Sequence, residues 1–148
     1  MPDVPLAAPS AAARRLGHAG LLPFVLGAAL VWATRGAVQA QATAALAAYG
    51  AVIVSFLGGI HWGLAFRQAP PRLALLGWGV VPSLLAWLAL ALPLALGLAW
   101  LGATLVACYA VDRRVYAEQG VAAWLPLRWR LTVVASLSCF VGAAGGAL

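Results

Sequence analysis

Residues 43–66 read TAALAAYGAVIVSFLGGIHWGLAF, twenty-four positions in which His61 is the one side chain able to carry charge near neutral pH. A bilayer core about 30 Å thick is crossed by about 20 apolar residues in helical form, so this stretch is long enough to span it. Working outward, four further apolar runs of similar length satisfy the same condition. Spans are expected at 16–34, 43–66, 73–92, 93–111 and 131–148, giving an all-α polytopic bundle of five transmembrane helices. Pro70 and Pro71 close the turn after the second span, because proline cannot continue a helix. Pro93 follows the third span with almost no loop, so spans three and four form a tight antiparallel hairpin. Residues 1–15, rich in Pro and Ala, read as a flexible tail, and residues 35–41 as a short polar connection. The stretch 115–130, with Tyr116, Trp124, Trp129 and a break at Pro126, reads as an interfacial segment at headgroup depth.

Composition supports the same class. Of 148 residues, 65% are hydrophobic and 8% charged, with a mean hydropathy of +0.99. Soluble domains carry about 25% charged residues and disordered chains more, so both classes are excluded. The net charge of +6 comes from nine Arg against Asp3, Asp112 and Glu118. In the five-span layout Arg14, Arg15, Arg67, Arg72, Arg113, Arg114, Arg128 and Arg130 fall on one side and Arg35 alone on the other. Positive residues mark the cytoplasmic face, which predicts a cytoplasmic amino terminus and a periplasmic carboxyl terminus in a bacterial inner membrane. Arginines that flank spans meet membrane lipid headgroups; they form no basic face of the kind nucleic acid requires. Arg14-Arg15, the apolar run to Ala33 and Ala40-Gln41-Ala42 imitate a signal peptide. Arg35 and the length of that run favour an uncleaved span.

Small residues recur every four positions in the second span, at Ala47, Ala51, Ser55, Gly59 and Gly63. Positions four apart share a helix face, so this row predicts a helix-packing groove, ending in a literal GxxxG. Ser138, Gly142 and Gly146 of the last span offer the same spacing. The groove fits packing within the chain or against a second copy.

His61 stands six residues before Arg67, roughly 9 Å inside the interface at 1.5 Å per residue. An imidazole facing lipid would leave its nitrogens unpaired, so the second span is expected to be packed on both faces as the central helix. An ionisable group inside a membrane is a functional candidate by default. The plain alternative is a neutral histidine hydrogen-bonded to a neighbouring helix. Trp62, His18, Cys108 and Asp112 fall at similar depth and complete a candidate ligand or proton site around His61. These side chains lack the spacing of a metal motif, so no metal and no cofactor are expected, and Asp112 beside Arg113 reads as an interfacial ion pair.

The stretch Tyr49-Gly-Ala-Val-Ile-Val-Ser-Phe-Leu-Gly-Gly-Ile-His-Trp-Gly63 resembles the signature of the transmembrane protein 69-like family, small multispanning proteins of bacteria and mitochondria. Trp124-Leu-Pro-Leu-Arg128 with Leu131-Thr132 is similar to a second motif of that family. Leu125 stands where the family usually has Tyr, and Arg130 where it often has Pro. The resemblance implies a five-helix inner-membrane protein, draws attention to Ser55, Gly58, Gly59, His61, Trp62, Arg128 and Thr132, and supplies no reaction. Arg128 and Thr132 are expected at the interface.

No nucleophile–base pair, carboxylate pair or phosphate-binding loop is present, which leaves hydrolysis and phosphoryl transfer without their usual parts. The leading expectation is a non-enzymatic accessory or assembly factor that binds a membrane partner or a second copy. The alternative is a small ligand-binding or transport protein for a proton, lipid or quinone, with a cavity around His61. A membrane enzyme comes third.

Overall fold

A computed structural model describes residues 7–147; residues 1–6 of the expected tail and Leu148 of the last span lie outside the described residues. The described chain is helical: α1 (Ala11–Ala19), α2 (Leu22–Ala33), α3 (Gly36–Ala65), α4 (Leu73–Ala91), α5 (Leu94–Glu118) and α6 (Leu125–Gly146), with a 3₁₀ turn at Ala122–Trp124. Taking α1 with α2, five segments are long and apolar enough to cross a membrane. The outer surface suits that setting. Val25, Leu30, Val52, Phe56, Leu84 and Trp87 all point outward, an apolar exterior that water would not tolerate but lipid does.

The boundaries depart from the sequence reading in four places. Residues 11–15 are helical, because Ser10 caps α1 by accepting the Ala13 N–H at 3.1 Å. The connection 35–41 belongs almost wholly to α3, which starts at Gly36 with φ +60, one residue beyond the α2 C-cap Thr34. Gln39, read as a loop residue, donates to the carbonyls of Val31 and Gly145 and so ties three helices together. The fourth span does not stop at Val111 but runs to Glu118. Finally, 115–130 is divided between α5, the 3₁₀ turn and the start of α6, and Pro126 opens α6 instead of breaking a helix, since proline fits the first helical turn.

Side-chain bonds define the two ends of the bundle. At one end Trp124 Nε1 donates to Ala7 O, Gln68 donates to Gln119, and Arg72 pairs with Glu118, so the amino-terminal segment, the α3–α4 turn and the α5–α6 connection meet there. Trp32 donates to Val141 O at the other end, where Arg35 also lies. The eight arginines therefore share one end.

α3 packs against α2, α4, α5 and α6 and is the central helix. Its buried stripe runs through Ala47, Gly50, Val54, Gly58, His61 and Ala65. Only the first half of the expected small-residue row lies in it. Ala47 and Ala51 are buried, Ser55 is half-buried, and Gly59 and Gly63 face open space. The cause is geometric: at 100° per residue, a four-residue step overshoots a full turn by about 40°, so Ala47 to Gly63 drifts about 160° around the helix. The close approach is made one position earlier, at Gly58, where an added Cβ would strike the Gly79 carbonyl of α4. Trp62 covers Gly79 from the other side. Gly142 and Gly146 of α6 do receive neighbours, Leu46 and Thr43 of α3.

Candidate functional site

The extension of α5 places the site. Cys108, Asp112 and Tyr116 lie four residues apart on one face, and all three are buried. Arg113, about 100° further round, is exposed, so Asp112 does not pair with it. Asp112, 1% exposed, turns inward between α3 and α6. Its Oδ2 accepts two bonds from Arg128 of α6, from Nε at 3.0 Å and from a terminal nitrogen at 2.6 Å. The other terminal nitrogen donates to Thr132 Oγ1 at 3.4 Å, one turn along α6. Arg128 and Thr132 are therefore buried components of the site, facing the bundle interior.

His61 completes the arrangement from α3. Its Nε2 stands 3.3 Å from Asp112 Oδ1, an ion-pair separation, although the two atoms are not aligned as a hydrogen bond. Nδ1 is 3.2 Å from Leu57 O, one turn back along the same helix. Both ring nitrogens thus face acceptors. A neutral imidazole has one N–H and can serve one of them, whereas a ring protonated at both nitrogens can serve both. Asp112 thus sits between the Arg128 guanidinium on one oxygen and the His61 ring on the other. Isolated charges at this burial are costly, and these hold together because each has a partner.

The other candidates separate. Cys108 lies one turn from Asp112 along α5 and is buried. His18 is exposed on α1, where Nδ1 meets Arg14 O at 2.7 Å, away from the cluster. Trp62 does not share a cavity with His61; it turns to α4, donating to Leu76 O at 3.1 Å and packing edge-on against Phe66. Trp78 of α4 takes the place beside His61, its ring edge-on with centroids 6.4 Å apart and its indole nitrogen buried without a partner. Among the described residues, no three His, Cys, Asp or Glu side chains converge as metal ligands.

Two cavities flank the cluster. The larger, about 830 Å³, lies between the α1–α2 segment, α3 and α6 and includes Arg128, Thr132 and Tyr116 in its wall. The smaller, about 230 Å³, is lined by Arg72, Trp78, Val115 and Glu118 on the opposite side of α5.

The two sequence motifs meet here, His61 from one and Arg128 with Thr132 from the other, joined through Asp112. A family described as "Protein of unknown function (DUF3429)" matches residues 9–144. The chain belongs to that family. Over 78 residues it is 47% identical to a protein named Transmembrane protein 69 from Xenopus tropicalis, a match covering 51% of this chain and 30% of that protein. The match therefore spans less than a third of that relative's length. No solved structure matches. Membership agrees with the five spanning helices in making this a multi-pass membrane protein.

Proposed function

We propose that this protein is a non-enzymatic membrane protein that binds a small hydrophobic ligand in the large cavity, with the His61–Asp112–Arg128 cluster as its polar anchor. The observation that carries this reading is the position of Arg128: one side chain both belongs to the buried charge cluster and lines an apolar cavity of about 830 Å³. That volume falls within the range of about 300–1,000 Å³ typical of small-molecule sites, as does the combination of apolar walls with a few convergent polar groups. The arginine-rich end faces the cytoplasm in this reading, following the positive-inside rule, and the membrane is a bacterial inner membrane.

The test is purification of the full chain in a mild detergent, with everything that co-purifies identified by mass spectrometry. Wild type should carry one equivalent of a lipid-like or quinone-like molecule. Ala13→Phe, which fills the cavity from α1 without touching the charge cluster, should carry none. A wild-type protein free of any stoichiometric small molecule overturns the reading.

A second reading, an accessory or assembly factor docking on a membrane partner, is favoured by the outward face of α3. There Gly59 and Gly63 lie open between exposed Phe56 and Phe66. Close backbone approach at such residues drives helix association in lipid. Loss of a co-purifying protein on Gly59→Leu, at unchanged stability of the monomer, would support it.

A further inference from the structure

Arg128 has donors to spare. A guanidinium carries five N–H groups, and the bonds to Asp112 and Thr132 engage three of them. One hydrogen remains on each terminal nitrogen; the Tyr116 hydroxyl stands close enough to accept one, which leaves the other at the wall of the large cavity. Among the described residues no acidic side chain lines that cavity, and Asp112 itself is not in its wall. The remaining wall is almost wholly apolar. It extends from Leu64 to Ile53 along α3 and from Trp124, just before α6, to Ala135 within it. Either stretch covers about 16 Å at 1.5 Å per residue. One leaflet of a hydrocarbon core about 30 Å thick has nearly the same depth.

The cavity also has a side entrance. Ala13, Leu16 and Gly17 of α1 and Ile53, Phe56 and Ile60 of α3 all line the cavity, so it lies between these helices, and Phe56 at its edge is 65% exposed. Arg14 and Arg15 stand exposed on α1 at that end. Arg128 sits four residues beyond Trp124, close to the depth where interfacial tryptophans and lipid phosphates meet.

We propose that the cavity takes one acyl chain of an anionic phospholipid from the adjoining leaflet, with the lipid phosphate on Arg128. This rests on the ligand-binding reading and names its ligand. The remaining donor gives a phosphate oxygen a charge-assisted hydrogen bond. Asp112 holds the guanidinium from behind, so the phosphate adds to the pair without displacing it. The second chain stays in the bilayer, which is why the entrance is lateral.

The experiment uses the full chain in a mild non-ionic detergent, stripped of lipid and titrated with phosphatidylglycerol, phosphatidylcholine or oleate, with bound molecules counted by native mass spectrometry. Wild type should bind one phosphatidylglycerol, about tenfold or more tighter than phosphatidylcholine, as a charge-assisted contact gives. Arg128→Lys should keep part of that preference. The double variant Asp112→Asn/Arg128→Gln, which keeps the interior neutral and so avoids a lone buried charge, should bind both lipids alike. Equal binding by wild type overturns the anionic class and leaves the ligand-binding reading standing. Oleate displacing phosphatidylglycerol overturns the phospholipid. No bound lipid in wild type, with Ala13→Phe indistinguishable from it, overturns both.

Discussion

Replacing Asp112 with Asn changes one atom and removes the charge on which the centre of the bundle balances. Asp112 is 1% exposed and Arg128 8%, so neither can turn to water when the other is neutralised. Breaking a buried ion pair by removing one partner costs about 3–5 kcal/mol, mostly because the surviving charge is left unpaired. Asp112→Asn leaves Arg128 with Thr132 and an amide oxygen, so the full range applies. Arg128→Gln leaves Asp112 with His61 at 3.3 Å, which offsets part of the loss, and the lower end is expected. The double variant has no buried charge to strand. It should recover most of the stability, so its loss falls well short of the sum of the two single losses, the signature of coupled positions. The assay is thermal unfolding in detergent, with all four proteins compared. A loss of 3–5 kcal/mol corresponds to a fall in Tm on the order of 10 °C for a chain of this size. Additive single effects, or Asp112→Asn melting with wild type, would refute the network.

Two further expectations follow from the packing and the layout. Gly58→Leu should force α3 from α4 and cost about 1–3 kcal/mol or more as overpacking, whereas Gly59→Leu should melt with wild type, because nothing lies within 4 Å of its added Cβ; equal damage from both would contradict the seam, read by the same thermal assay. Reporters fused after Ala69 and after Gly120 should occupy one compartment, the cytoplasm, and one after Leu92 the periplasm; an opposite result at any two of these sites overturns the orientation.

The sequence was most informative where chemistry was rare. A single histidine inside an apolar run marked the central helix, because lipid leaves an imidazole no partner and only packing on both sides supplies one. Arg128 and Thr132 stood out through a family motif, yet their burial did not, since an arginine next to Trp129 and Pro126 has the appearance of an interfacial residue. Asp112 was misread for a related reason. Ending the fourth span where hydropathy falls placed it at the surface beside Arg113, while the helix continues and carries Asp112 on the face of Cys108 and Tyr116. That i, i+4, i+8 series was the available signal. The GxxxG failed through rotation: sequence spacing fixes which residues share a face over one turn, not over four. Trp62 turns away from the site because His61 and Trp62, adjacent on α3, point about 100° apart, and no local pattern says which neighbouring helix each will meet.

The central claim, that the buried cluster serves a ligand and is not only scaffold, is tested most directly at His61. His61→Gln keeps a side chain able to donate to Asp112 Oδ1 but removes the second ring nitrogen, the one that faces Leu57 O. Detergent-extracted yield and Tm would be measured for this variant beside complementation of a deletion strain. The account predicts normal yield and Tm with complementation lost. Full complementation by His61→Gln, at wild-type yield, would contradict it.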